Sequence, residues 1–186
     1  GTDMGVIRFM GGRDVNNADV TLAGNLKYLD LYDAHIKAGG ADYNQDGSND
    51  RITEDDCIDT YMFWELDKLE TLILPKSVTK IKDNAFNNCD ELSRLVIGDN
   101  TMSIGKKVTY DSPKLREVIL LCNEVPATDG DAWAEEKTIK VFYVPNDIRD
   151  HLAGSRAYYT RGDSIASPFA EDAVMRALSE KRIYTI

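Results

Sequence analysis

The sequence has few of the residues that define disulfide-bonded, zinc-binding or histidine-dependent proteins. It contains three cysteines, Cys57, Cys89 and Cys122, and two histidines, His35 and His151, among 186 residues. The cysteines are odd in number, lie far apart and form no C-x-x-C pair, which argues against a disulfide scaffold and against a zinc site. We therefore expect three buried thiols that pack as small apolar residues.

Positive charge and long apolar runs are also scarce. Lys and Arg total 22 against 32 Asp and Glu, which gives a formal net charge of −10. A surface this acidic repels nucleic acid and anionic membranes, so we expect neither as a partner. No apolar run approaches the ~20 residues of a membrane helix, and nothing at the N-terminus resembles a signal peptide. We expect one soluble domain over residues 1–186 and no membrane insertion by this segment.

Catalytic motifs are missing as well. The sequence has no G-x-S-x-G, H-E-x-x-H, P-loop or Rossmann glycine pattern. Its two histidines stand near opposite ends of the chain, and pairs of acids are common in a chain with 32 of them. We expect no enzyme activity and no required cofactor.

What the sequence does have is an internal repeat of about 23 residues. Apolar residues recur at offsets 0, 3 and 5 of each unit, and the matching triplets are Leu26-Leu29-Leu31, Leu69-Leu72-Leu74, Leu92-Leu95-Ile97, Leu115-Val118-Leu120 and Ile139-Phe142-Val144, with a weaker match at Met4-Ile7-Phe9. A period of 20–29 residues with L-x-x-L-x-L is typical of leucine-rich repeats. Each unit then contributes one short strand and a return path, and stacking the units builds a shared core.

The second half of each unit repeats too and locates an insertion. Ile81, Phe86 and Cys89 have counterparts 23 residues upstream in Ile58, Phe63 and Leu66, whereas the third unit keeps Ile104 and reads Val108 and Tyr110 where phenylalanine is expected. The first two strand triplets are 43 residues apart, which is one unit plus 20 residues. We therefore assign an insertion to residues 37–56.

The end of the chain has the signals of a cap, which we assign to residues 139–186. Asn146 and Ser167-Pro168 are starting signals for two helices, and Ile183–Ile186 fits a short edge strand. The second helix has an apolar stripe made of Phe169, Ala173, Val174, Ala177 and Leu178. The stripe packs against the end of the solenoid or, alternatively, binds a partner.

The central unit gives a specific family resemblance. The run L-I-L-P-K-S-V-T-K-I at 72–81, followed by N-A-F-N-N-C at 84–89 and Leu92, resembles the BspA-like leucine-rich-repeat family. We predict a right-handed leucine-rich-repeat solenoid of the α/β class, with short parallel strands stacked in a curved sheet, few helices and C-terminal helices as a cap. The resemblance implies a bacterial, Bacteroides-type protein of the cell surface or secreted fraction. It also implies a non-catalytic role in protein–protein or adhesion recognition, with a protein or glycan as the ligand.

The open face of the predicted sheet is the first candidate site. Its residues lie at offsets 2 and 4 of each unit and are Tyr28, Asp30, Thr71, Ile73, Arg94, Val96, Glu117 and Ile119. Three adjacent β-branched residues at offset 4 form an apolar stripe where solvent is expected, and such stripes often mark ligand contacts. The alternative is that β-branched residues stand there because they suit strands.

The insertion is the second candidate site. Residues 42–50 fit the pattern D-x-N-x-D-G-x-x-D, in which alternating oxygen ligands let a loop curl around calcium. The candidate ligands are Asp42, Asn44, Asp46, Ser48, Asp50 and Glu54. Glu54 comes one residue later than the bidentate acid of an EF-hand loop, where Thr53 stands instead. Calcium-dependent adhesion is therefore one hypothesis, and a solvated acidic insertion made of turn residues is the other.

Overall fold

The computed structural model describes residues 4, 7, 8, 10, 24–40, 42–43, 51–122, 124, 126–128 and 132–133, and the backbone of 141–143. Within these described residues, nine short strands follow one another: β1 (Tyr28–Asp30), β2 (Cys57–Ile58), β3 (Thr71–Ile73), β4 (Lys80–Ile81), β5 (Arg94–Ile97), β6 (Ser103–Ile104), β7 (Glu117–Leu120), β8 (Ala127–Thr128) and β9 (Val141–Tyr143). Among the described residues, no helix has the length and apolarity needed to cross a membrane.

The strands form two parallel sheets. The first sheet has the order β1-β3-β5-β7-β9, and the second has the order β2-β4-β6-β8. Each of the first four units therefore adds one strand to each sheet, β9 adds a fifth strand to the first sheet, and corresponding strands stack in sequence order. This arrangement confirms the predicted leucine-rich-repeat solenoid with its stacked parallel strands and few helices. The C-terminal helices predicted within residues 139–186 lie outside the described residues.

The second sheet is a feature that the sequence reasoning did not include. The repeat predicts one short strand and a return path in each unit, and the return path itself contains a two-residue strand such as β4 or β6. Its inner residue is apolar and buried, as Ile81 and Ile104 show. A strand of two residues is too short to leave a visible alternation of apolar and polar residues in the sequence.

The core lies between the two sheets and follows from strand alternation. Leu72 and Leu95 are paired neighbours in the first sheet and are fully buried, because successive side chains of a strand point to opposite faces. The phenylalanines of two consecutive units, Phe63 and Phe86, stack with ring centroids 5.6 Å apart. The repeated apolar positions therefore form continuous rows through the core.

The N-terminal match to the repeat is wrong. Met4-Ile7-Phe9 was aligned with the strand triplets, but Met4, Ile7 and Arg8 are helical. Met4 is buried and Ile7 packs against the core. Apolar residues three positions apart share one face of a helix, and the same spacing fits the L-x-x-L pattern of a repeat strand. This short spacing therefore does not distinguish a helix from a repeat strand.

The registers of the two sheets locate the extra residues of the first unit. Leu29 pairs with Leu72, 43 positions later, whereas Ile58 pairs with Ile81, 23 positions later. The chain between β1 and β2 is therefore 20 residues longer than the chain between β3 and β4. An isolated antiparallel bridge between Gly39 and Thr53 joins the two arms of this longer segment.

Candidate functional site

The first sheet aligns the eight candidate residues of its open face in two rows. Pairing of β1, β3, β5 and β7 gives the row Tyr28, Thr71, Arg94 and Glu117 and the row Asp30, Ile73, Val96 and Ile119. The backbone of β9 extends these rows to Val141 and Tyr143. A single rigid surface therefore carries the whole predicted set.

Exposure differs sharply between the two ends of this open face. At the β1 end, Tyr28 is 58% exposed, and Asp30 beside it is also exposed. At the other end, Val96 and Ile119 are only 4% and 8% exposed. These two residues form a small apolar cluster with the partly buried Ile73 and with Leu121. The row at offset 4 is therefore accessible at Asp30 on β1 and buried at Val96 and Ile119, whereas Arg94 of the other row is exposed on β5.

Charged side chains on and beside the open face pair between consecutive units. Arg94 Nε lies 2.6 Å from Glu117 Oε2, and Lys27 Nζ lies 2.6 Å from Glu70 Oε1. The hydrogen bond with Glu70 raises the pKa of Lys27. These pairs are largely exposed to solvent, so they add little to stability and mainly fix side-chain positions. Asp30 differs from them, because its Oδ1 accepts a hydrogen bond from the backbone N–H of Tyr32 at 2.9 Å.

A polar network at the rim of the open face was missed by the sequence reasoning. Tyr32 Oη donates to the carboxylate of Asp99 at 3.2 Å, and Lys76 Nζ lies 5.3 Å from the centre of the Tyr32 ring. Lys76 also forms a 2.5 Å hydrogen bond with Asp33, and this bond raises the pKa of Lys76. The available signal was the spacing, since all these residues stand two or three positions after the end of a strand, at offsets 6 and 7 of three consecutive units.

The second sheet bears a groove that no sequence pattern indicated. The groove has a volume of about 480 Å³, and part of its wall consists of the small residues Ser103, Gly105 and Ala127. Lys82 lines it too, but its Nζ is held by Glu54 at 2.6 Å and Asp59 at 3.0 Å. The groove is therefore open, and the charge of its Lys82 is already paired with two carboxylates.

The candidate calcium ligands are only partly within the described residues. Asn44, Asp46, Ser48 and Asp50 lie outside them, and Asp42 is buried. Glu54 forms the ion pair with Lys82, so this carboxylate already has a cationic partner. Thr53, at the twelfth position of the loop pattern, donates its hydroxyl to the carbonyls of Lys37 and Gly39 at 2.5 and 2.9 Å. The described residues contain no group of three or more His, Cys, Asp or Glu side chains placed to hold a metal ion.

The three cysteines are free and buried, as expected. Burial raises the pKa of Cys57 to about 11 and the pKa values of Cys89 and Cys122 to about 12. Cys89 Sγ donates to the carbonyl of Phe63 at 3.0 Å, and Ser112, 23 residues later, donates to the carbonyl of Phe86 at the same distance. A serine makes the same bond at the equivalent position, so the cysteine acts there as a small buried donor and not as a reactive thiolate.

Stacked parallel strands at 23-residue spacing, buried rows inside and a continuous open face outside define a leucine-rich-repeat solenoid. The family model described as "BspA type Leucine rich repeat region" matches six copies over residues 56–160. The chain therefore belongs to the BspA-type leucine-rich-repeat family, whose repeats are typically non-catalytic and suggest a binding or recognition module. Comparisons with curated proteins and with solved structures gave no match.

Proposed function

We propose that this chain is a non-catalytic recognition module that binds a protein or glycan through the open face of its first sheet. We further propose that it acts in adhesion, as part of a bacterial protein that is secreted or displayed at the cell surface. The family supports the recognition role, and the charge of −10 favours a protein or glycan over nucleic acid. The binding mode is docking onto a preformed surface.

The observation that carries this proposal is the exposed end of the open face. Tyr28 presents a large ring on a strand that is hydrogen-bonded to β3, and Asp30 stands two residues away on the same face. An aromatic side chain on a rigid element provides contact area with little loss of conformational entropy, which is why tyrosine is common at binding hot spots. The rim residue Tyr32 extends this surface and is fixed by its bond to Asp99.

Substitution of Tyr28 tests the proposal. The chain is first assayed for binding to immobilised extracellular-matrix proteins and to a glycan array. For any ligand found, Tyr28→Ala is expected to weaken binding by about thirtyfold or more, since hot-spot truncations cost about 2 kcal/mol or more. Met102→Ala is the matched control, because Met102 is 70% exposed and lies beside β6 of the other sheet. An unchanged affinity for Tyr28→Ala, or an equal loss for both variants, would contradict the open face as the binding surface.

Calcium dependence is a separate hypothesis that rests on the loop pattern at 42–50. Because Glu54 is paired with Lys82, the ligand set to test is Asp42, Asn44, Asp46, Ser48 and Asp50. The hypothesis predicts binding heat on titration with calcium at up to millimolar concentration, and loss of this heat in Asp46→Ala. It also predicts weaker ligand binding in the presence of a chelator. Absence of heat together with chelator-insensitive ligand binding rejects the hypothesis.

A further inference from the structure

The two arms of the insertion at 37–56 lie together at the start of the solenoid. Backbone hydrogen bonds of 2.9–3.0 Å join them, from Tyr43 N to Arg51 O, from Gly39 N to Thr53 O and from Asp56 N to Ile36 O. The last bond closes the insertion at its base. Without the 20 inserted residues, Ile36 and Asp56 would fall at the same offset of the repeat. The described parts of the insertion therefore form a defined antiparallel pair of arms.

The carbonyl of Thr60 receives its hydrogen bonds from this insertion. In the third unit, the equivalent carbonyl of Lys106 accepts a backbone hydrogen bond from Asn84 in the preceding unit, at 2.9 Å. The carbonyl of Thr60 instead accepts from Tyr43 Oη at 2.8 Å and from Arg51 Nη1 at 3.1 Å. Two side chains of the insertion thus donate to a carbonyl whose counterpart in the third unit is bonded by the preceding unit.

Tyr43 also covers the apolar end of the core. Its side chain is only 1% exposed and belongs to the main core cluster, where Met4 is also buried. Arg8 holds the backbone of this residue, because its Nη1 donates to the carbonyl of Tyr43 at 3.1 Å. The guanidinium of Arg51 lies 5.1 Å from the centre of the Tyr61 ring, which fixes the second donor as well.

We propose that the insertion is the N-terminal cap of this solenoid, with Tyr43 and Arg51 as the capping side chains. Repeat arrays need atypical ends, since an uncovered terminal unit exposes both its apolar side and its unpaired backbone groups. An uncovered strand edge is also a template for pairing with another chain. The cap is therefore expected to keep the first unit folded and the chain from associating end to end.

Hydrogen exchange of the full chain tests the proposal. The capping variant is Tyr43→Phe combined with Arg51→Met, which keeps a ring and an aliphatic stem but removes both donors to Thr60. We expect about tenfold faster exchange in residues 57–66, the change that follows from losing hydrogen bonds to one carbonyl, and unchanged exchange in 94–104. Tyr32→Phe is the matched control, because it removes a hydroxyl that bonds to Asp99 away from the cap.

A second variant separates the cap from the calcium hypothesis. Replacing residues 44–50 by a short Gly-Ser turn keeps Tyr43 and Arg51 but removes most of the candidate calcium ligands. The cap proposal expects exchange in 57–66 to stay at the wild-type rate in this variant without added calcium, whether or not the wild-type chain binds the ion.

Three results would overturn the cap. The first is wild-type exchange in 57–66 of the capping variant. The second is equally accelerated exchange in every segment of that variant, which would make Tyr43 an ordinary core residue. The third is acceleration by the turn replacement alone as large as that of the capping variant. Because none of these residues belongs to the open face, the outcome is independent of the recognition proposal.

Discussion

Thr109 is a weak point of the core at the scale of a single residue. It stands 23 residues after Phe86, at the position where two preceding units place stacked phenylalanines. Its side chain is fully buried, and its Oγ1 has no hydrogen-bond partner among the described residues. A buried hydroxyl without a partner has lost its hydration and gained nothing in exchange, which costs about 1–3 kcal/mol.

The first prediction follows from this hydroxyl. Thr109→Val is expected to raise the free energy of unfolding by about 1 kcal/mol, because a methyl group of similar size replaces an unsatisfied polar group. The measurement is urea denaturation followed by circular dichroism.

Thr101→Val is the matched control for Thr109→Val. Thr101 is equally buried, but its Oγ1 donates to the carbonyl of Val78 at 3.2 Å. The same substitution there is expected to lower the free energy of unfolding by about 1 kcal/mol. If the two variants shift in the same direction, the unsatisfied hydroxyl is not the cause.

The turns that link the two sheets impose a backbone requirement at the scale of the element. Each of three consecutive turns has two residues with positive φ, four positions apart. At the first position, φ is 58° for Tyr61, 54° for Asn84 and 48° for Lys107. At the second position, φ is 56° for Glu65, 58° for Asn88 and 58° for Asp111. Asparagine and aspartate tolerate this left-handed region, whereas other residues with a Cβ are strained in it. The middle unit therefore has the best-suited turn and the first unit the least suited.

The second prediction exchanges residues between these equivalent positions. Glu65→Asn is expected to raise the free energy of unfolding by about 1 kcal/mol, because asparagine reduces the strain. Asn88→Ala is expected to lower it by a similar amount. Thermal and urea unfolding of both variants provide the measurement. No change in either variant would show that the turns relax without cost.

Some elements could be derived from the sequence, and others could not. The rows through Leu72 and Leu95 were predicted because a fixed period and strand alternation determine them together. The four short strands of the second sheet were not, since two residues show no periodicity. The burial of Val96 could not be predicted from its strand position. The alternation of side chains along a strand shows which face of the sheet a residue is on, but it does not show what covers that face. Tyr43 stands within an acidic pattern of turn residues that gives no sign of burial, although its ring belongs to the core.

Stability is distributed unevenly at the scale of the whole molecule. Each unit of a solenoid contacts only its neighbours, so a central unit is packed on two sides and a terminal unit on one. Leu95 of β5 lies in a central unit and has no solvent-accessible surface. Leu29 of β1 lies in the first unit and is only partly buried. Tyr28 and Asp30, two exposed residues of the open face, stand on that outer strand.

The third prediction compares the two leucines. Leu95→Ala is expected to lower the free energy of unfolding by about 3 kcal/mol or more, because it leaves a cavity between two units that both lose contacts. Leu29→Ala is expected to cost about 1–2 kcal/mol, since part of this side chain is already in water. Urea denaturation measures both losses, and hydrogen exchange shows where they act.

In Leu29→Ala, faster exchange is expected in residues 28–32 and not in 94–97, because opening of an end unit does not require opening of the centre. In Leu95→Ala, exchange is expected to accelerate in both segments, since the central interfaces hold the array together. Ligand binding through Tyr28 should weaken in Leu29→Ala even though the rest of the fold persists, because the strand that presents the ring no longer stays paired. Equal acceleration of both segments in Leu29→Ala would show instead that the chain unfolds as one unit and that its outer strand is not the least stable part of the binding surface.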